Sequence, residues 1–334
     1  MAATAAGNLV TTARVVDNYL PIFIDEVFSA MTTGLFQVDN NPPFPSAGVN
    51  TFTIPTLYHT TAAAQTPTAD TDLTINNIAS GTMIGVVRRR AEVLGIEDVG
   101  ARAGSLDLDL AGREIARALS KQYLYDTETA LFTYLLQGVI GAATAPLYAT
   151  HCVDKSSDTW DHKFIASAMA VFGEHLGMVN GIIMHPTLYW KARINEYLTA
   201  QASTTGADNP ALLGMLSTYV GSIGQLRVFL NERVYNTGGI YDTVVFGSNA
   251  VYMGIEEPYN VETDRLVLKA GGTDIYKARW SNCLHIPGVS FTGSGPTVGG
   301  GVTDAALGTA GNWTAVTGAA AAQTPLVVIK AKAE

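Results

Sequence analysis

A chain of 334 residues is long enough for two compact domains or one large elaborated one, at roughly 100 to 200 residues per domain. Apolar residues make up 47% of it, yet no run approaches the roughly 18 uninterrupted apolar residues of a membrane-spanning helix, which points to a soluble protein. The net charge of −9 is unevenly spread: Arg14 is the only basic residue between Met1 and Val87, the reverse of the basic face that a sequence-specific DNA binder needs.

Met1 to Gly7 is small and uncharged, without the basic region and apolar run of a secretory signal, so cytosolic assembly is the expectation. Asp17 to Phe28 reads as a short helix, ended by Gly34 and the Asn40-Asn41-Pro42-Pro43 cluster. Thr51 to Ile54 alternates as a strand does, and Met83 to Val87 with Ala91 to Ile96 reads as a second, longer strand. The stretch between them, Tyr58 to Asp72, is too polar and irregular for a core. The simplest geometry is a long hairpin projecting from the body, and an isolated two-stranded ribbon needs a neighbour to lie on. The clearest helix runs from about Ser105 to Gln137, with Ser105 or Asp107 as its cap and Gly138 and Gly141 as its stop. Leu108, Ala111, Ile115 and Leu119 form one apolar stripe, while Leu124, Leu131 and Leu135 continue it with an offset. The offset predicts a kink or a change of packing partner in a rod roughly 50 Å long.

A further helix is expected from Trp160 to His175, with Phe164, Ala168 and Phe172 on one face. Gly181 to Met184 reads as a short buried strand, and Pro186 opens a helix running to Leu198. Asn209 to Tyr219 reads as another helix. Gln225–Leu230, Tyr241–Phe246, Asn260–Leu268 and Asp274–Ile286 read as four strands, with tight turns at Gly238-Gly239 and Gly271-Gly272. The fold class is therefore α+β with a mostly antiparallel sheet. Gly293 to Thr324 carries one charged residue, Asp304, and resembles a linker that a neighbouring subunit holds, before Leu326 to Ile329 closes as a strand.

No catalytic, cofactor or metal motif emerges. Cys152 and Cys283 are isolated thiols, suited to a reducing compartment. Glu174-His175 and His185 lack the spacing of a zinc site, and the glycines from Gly293 to Gly301 lack the lysine of a phosphate loop, which leaves a flexible tail as the simpler reading. Asn312-Trp313-Thr314 matches a glycosylation sequon by chance alone. The one dense charge cluster is Arg88-Arg89-Arg90. It has two readings: a solvated, charge-protected strand edge, or a contact with acidic residues of a neighbouring copy, Glu97 and Asp98 among them.

Several segments, taken in order, resemble the major capsid proteins of tailed bacteriophages: AGSLDLDLAGREIARALSKQYLYDTETALF at 103–132, GIIMHPTLYWKARINEY at 181–197, IGQLRVFLNERVY at 223–235, YDTVVFGSNAVYMG at 241–254 and WSNCLHIPGVSFTG at 280–293, then Asn312-Trp313 before a closing strand. The resemblance implies an N-terminal arm (1–50), an extended hairpin loop (51–100), a spine helix and peripheral domain (101–218), an axial domain (219–292) and a C-terminal tail (293–334), with the two domains interleaved. It also implies hexamers and pentamers of an icosahedral shell around double-stranded DNA, assembled in the host cytoplasm. The implied partners are other copies of the chain, a separate scaffolding protein, a portal and a decoration protein, with no cofactor and no membrane. No lysine occurs between Phe44 and Val87, so covalent welding through an arm lysine is not expected. The competing readings are an encapsulin-type enzyme compartment, which shares the fold, and a soluble α+β enzyme.

Overall fold

The computed structural model describes residues 33–39, 50–58, 79–97, 108–194, 219–223, 226–266, 273–293, 301–316 and 324–333. The expected helices at 17–28 and 209–218, the loop after residue 39 and the Gly271-Gly272 turn lie outside these residues, as do the hairpin tip at 59–78 and the cap positions 105 and 107.

Two sheets and one long helix organise the described chain. The first sheet has five strands in the order β1 (Phe36–Asp39), β10 (Val251–Leu266), β11 (Thr273–His285), β3 (Ala79–Glu97) and β2 (Thr51–Tyr58). Strands β2 and β3 pair antiparallel from Thr51↔Val86 to Tyr58↔Ala79, the expected hairpin pairing. The two apolar runs expected on either side of the arginines are one continuous strand of 19 residues. Strand β10 starts at Val251, well before the expected Asn260. Its first half is held by β1 on one side and β11 on the other.

The second sheet has seven strands. Its main path is β4 (Cys152–Thr159), β14 (Leu326–Lys332), β9 (Ile240–Gly247), β5 (Val179–Met184), β7 (Leu226–Leu230) and β6 (Tyr219–Ile223); the short β8 (Asn236–Thr237) adds to β9. Tyr219 opens a strand here rather than ending a helix. Gly238 and Gly239 both take positive φ, 57° and 80°, between the paired Thr237 and Ile240, the two-residue turn whose twist suits a hairpin. Strand β14 reads as an unbroken apolar run because both its faces are covered: Leu326 and Val328 point to one core, Val327 and Ile329 to the other. The outer core is roofed by α2 (Lys163–Phe172) and α3 (Pro186–Ile194). Helix α2 stops at Gly173, whose φ of 54° a longer helix could not accommodate, so the segment expected to continue to His175 tightens into a 3-10 turn.

The spine helix is numbered ahead of these as α1 (Leu108–Thr129), and it lies on the inner core with Ile115, Leu119 and Tyr123 buried. From Ala130 it widens into two π-helical stretches, Ala130–Leu135 and Gln137–Gly141, with Leu136 N–H bonded to the Leu131 carbonyl and Ala142 N–H to that of Gln137. The shift of the apolar stripe between Leu119 and Leu124 falls earlier, within regular helix, and the widened stretch is where the helix becomes buried nearly all round. Gly138 does not stop it. A Cβ there would run into the Leu307 carbonyl oxygen and the Trp313 ring, so glycine serves close packing.

The C-terminal segment corrects the linker reading over its described part. Residues 301–316 belong to the chain's own core, with Val302, Leu307 and Trp313 buried and β12 (Val289–Phe291) paired to β13 (Trp313–Ala315). The Trp313 indole N–H donates to the Leu307 carbonyl at 2.8 Å, and the Asn312 side chain donates to Ala306, a structural task. Gly301, which a flexible glycine tail would have contained, instead sits bridged to Arg88 at φ 68°.

Candidate functional site

The arginine cluster lies on β3 just beyond the point where its pairing with β2 ends at Val86. On that side the C-terminal segment takes over: Val302 N–H donates to the Val87 carbonyl at 2.8 Å, and Arg88 bridges to Gly301. On the other side β11 remains paired, placing Asn282, Ser281 and Trp280 opposite Arg88, Arg89 and Arg90. The strand is therefore covered on both sides at Arg88, which corrects the solvated-edge reading.

Alternation along a strand sends Arg88 and Arg90 to one face and Arg89 to the other. Arg88 is 0% exposed. Its Nη2 meets Asp126 at 2.9 Å and Asp304 at 3.1 Å, its Nε meets Asp304 at 3.2 Å, and its Nη1 donates to Asn282 at 3.2 Å. Arg90 shares both carboxylates, at 2.6 Å from Asp304 and 3.8 Å from Asp126, and donates to the Val302 carbonyl. On the opposite face Arg89 grips Glu256 of β10 with two nitrogens, at 2.8 and 3.2 Å, and also bonds Asn50.

Each residue facing an arginine on β11 feeds the same network. Asn282 accepts from Arg88, the Ser281 hydroxyl donates to Glu256, and the Trp280 indole donates to Asp126 at 3.2 Å. Three guanidiniums thus face three carboxylates, one on the spine helix, one on β10 and one in the C-terminal segment. Multiple charge-assisted bonds are what make burial of a guanidinium tolerable. Beside them Tyr123, Tyr259 and Trp280 stack or meet edge to face at 5.3–5.6 Å, and burial pushes the Tyr123 hydroxyl up to about 12. Glu97 ends β3 seven residues from Arg90, about 23 Å along an extended strand, so one chain cannot bring the two together. Asp98 lies outside the described residues.

A second polar node sits between the π-helical end of the spine helix and the seven-stranded sheet. Asp242 of β9 is 2% exposed, accepts from the Gln137 amide and lies 3.6 Å from Lys330 on β14, its direct cross-strand partner. Burial, the largest influence, raises the Asp242 carboxyl to about 6. The Lys330 ammonium also donates to the Gln137 side-chain amide oxygen Oε1 at 3.2 Å and lies over the Tyr235 ring. His185 accepts from the Thr187 N–H at 3.2 Å where α3 begins. Among the described residues no group of three His, Cys, Asp or Glu side chains could hold a metal ion, and no helix is long and apolar enough to cross a membrane. Cys152 and Cys283 are unpaired thiols, with burial pushing Cys152 up to about 12.

Sequence reading singled out the arginines and missed their partners. Asp304 was the available signal, being the only charge in a 32-residue stretch otherwise made of small and polar residues.

No protein-family model and no curated protein matches the sequence. Solved structures do match the fold. The capsid of Ralstonia phage GP4 superposes with a TM-score of 0.59 at 12% identity, covering 90% of this chain and 87% of that one. The Cyanophage Pam1 capsid asymmetric unit gives 0.54 at 10% identity, covering 90% and 88%. A Gordonia phage Cozz structure gives 0.51 at 16%, covering 92% and 87%. These matches cover about nine tenths of the chain, whose fold is that of tailed-phage major capsid proteins.

Proposed function

We propose that this chain is the shell-building subunit of a tailed-phage head. Copies assemble as hexamers and pentamers into an icosahedral shell around double-stranded DNA, in the host cytoplasm, and catalyse no reaction. The observation that carries the reading is the capsid fold over about 90% of the chain. In this reading a separate scaffolding protein guides assembly, a portal occupies one vertex and a decoration protein binds outside.

The hairpin's outer part lies across a neighbouring copy: its base is covered by the same chain, with Phe52, Met83 and Val86 buried, but Ile84 stays 36% exposed and a two-stranded ribbon is marginal alone. The arginine node sets its angle. Arg88, enclosed by its own chain, ties the hairpin's second strand to the spine helix and the C-terminal segment. Arg89 and Arg90 keep 23% and 20% of their side chains exposed, and these meet Glu97 and Asp98 of a neighbouring copy. Such partly exposed contacts weaken in high salt.

The test is to shorten the hairpin by removing residues 60–76, beyond the last β2–β3 pair. Sedimentation is then compared with the full chain, each with its scaffolding protein. The full chain is expected as shells or capsomers and the shortened one as folded, unassembled subunits. Equal assembly by both would overturn the role given to the hairpin, and a monodisperse monomer in both cases would overturn the shell reading.

A further inference from the structure

The exposed side of the spine helix departs from the acidic character of the chain. Arg113, Arg117 and Lys121 recur every fourth residue and so stack along one face, with Arg113 exposed and Arg117 54% exposed. The next position in the row is Tyr125, 40% exposed, and the Arg233 guanidinium lies 3.5 Å from the centre of its ring. The row is about 18 Å long from Arg113 to Tyr125 and carries a cation at roughly 6 Å intervals. Glu114 lies 4.0 Å from Arg117, and the buried Glu128 lies 3.6 Å from Arg233. Asp109 stands one turn ahead of Arg113 in the sequence. The opposite face of the helix, Ile115, Leu119 and Tyr123, is locked in the core, so the row is held straight.

We infer that this row is a sequence-indifferent contact surface for the phosphate backbone of duplex DNA. Guanidiniums match phosphate oxygens in a two-pronged geometry, and one stacked on a tyrosine is already oriented for it. An acidic protein partner fits less well, because protein interfaces centre on buried apolar anchors and Tyr125 is the one large apolar side chain this helix exposes among the described residues. A single row in a chain of net charge −9 binds weakly, and many copies in one shell multiply it. The inference rests on the shell reading for its biological setting, with the row turned towards the lumen.

The experiment uses the purified full chain and a fluorescent duplex of about 30 base pairs, read by anisotropy at about 50 and 200 mM salt. With four cations engaged, affinity is expected to fall on the order of 100-fold between those salts. The R113Q/R117Q/K121Q variant should bind at least about 10-fold more weakly at low salt, and K155Q/K163Q/K277Q, which removes the same charge elsewhere, should stay within about 3-fold of the parent. Equal losses in both variants, or no binding by the parent at low salt, would overturn the inference. So would polyglutamate held more tightly than duplex, which would assign the row to an acidic protein. Circular dichroism confirms that the variants fold, and electron microscopy of the same samples keeps the shell reading separate: shells that ignore DNA refute the row alone.

Discussion

The two polar nodes on the spine helix solve the same problem differently. At the arginine node a fully buried cation has four hydrogen bonds to three side chains, and its carboxylates, Asp126 and Asp304, keep 15% and 29% exposure. At the Asp242 node the anion is the buried member, and its cation stands 3.6 Å away with a glutamine between them. The first is held by geometry. The second is poised, because burial has already moved its carboxyl to about 6. The middle of the spine helix therefore anchors the hairpin firmly, and its C-terminal end joins the seven-stranded sheet through a contact that acid can alter.

Breaking the first node should have the largest effect. Arg88→Ala strands two carboxylates in a half-dry site and is expected to cost about 3–5 kcal/mol in denaturant unfolding. Arg89→Ala, on the other face of the same strand and partly solvated, should cost about 1 kcal/mol. Equal losses from the two would show that burial does not distinguish them. Next comes the joint between spine helix and C-terminal segment: Gly138→Ala pushes a methyl into the Leu307 carbonyl and should destabilise by about 1–3 kcal/mol. A neutral result would mean that residues 301–316 yield easily.

The pH comparison is subtler because two groups oppose each other. The Asp242 carboxyl is raised above its ordinary 3.8, so the folded chain holds more protons than the unfolded one between about 4 and 6, and stability falls as pH rises through that window. His285 is 0% exposed with neither ring nitrogen bonded, and burial lowers it from 6.5 to about 4. The unfolded chain then holds more protons, and stability falls as pH drops from 6.5 towards 4, by about 3 kcal/mol at full extent. Asp242→Asn should therefore steepen the acid loss and His285→Leu should flatten or invert it, both read from urea midpoints across pH 4–7. Parallel curves for all three proteins would remove either group from the account. The smallest effect belongs to the rim: Arg279, paired with Glu262 on an exposed ribbon, should lose no more than about 0.5 kcal/mol on Arg279→Ala.

What could be read from the sequence followed periodicity. Strand β3, the β2–β3 pairing, β5, β9, β11 and the spine helix were all visible because alternation or a 3.6-residue stripe survives without tertiary information. The offset between Leu119 and Leu124 lies within the regular part of the helix and did not locate the π-helical stretch that starts at Ala130. Strand β4, CVDKSSDT, was invisible, since it is polar and owes its place to the parallel edge of β14. The first half of β10 was hidden by Gly254 and Pro258 within it. The site was half legible: three adjacent arginines announce themselves, whereas Asp126 and Asp304 stand 38 and 216 residues from Arg88 and are joined to it only by folding.

The central claim is that these subunits build a shell, and the most direct test is negative-stain electron microscopy of the purified full chain, alone and with its scaffolding protein. The account predicts hollow icosahedral particles, or pentamers and hexamers that convert to them. A monodisperse monomer under both conditions would contradict it.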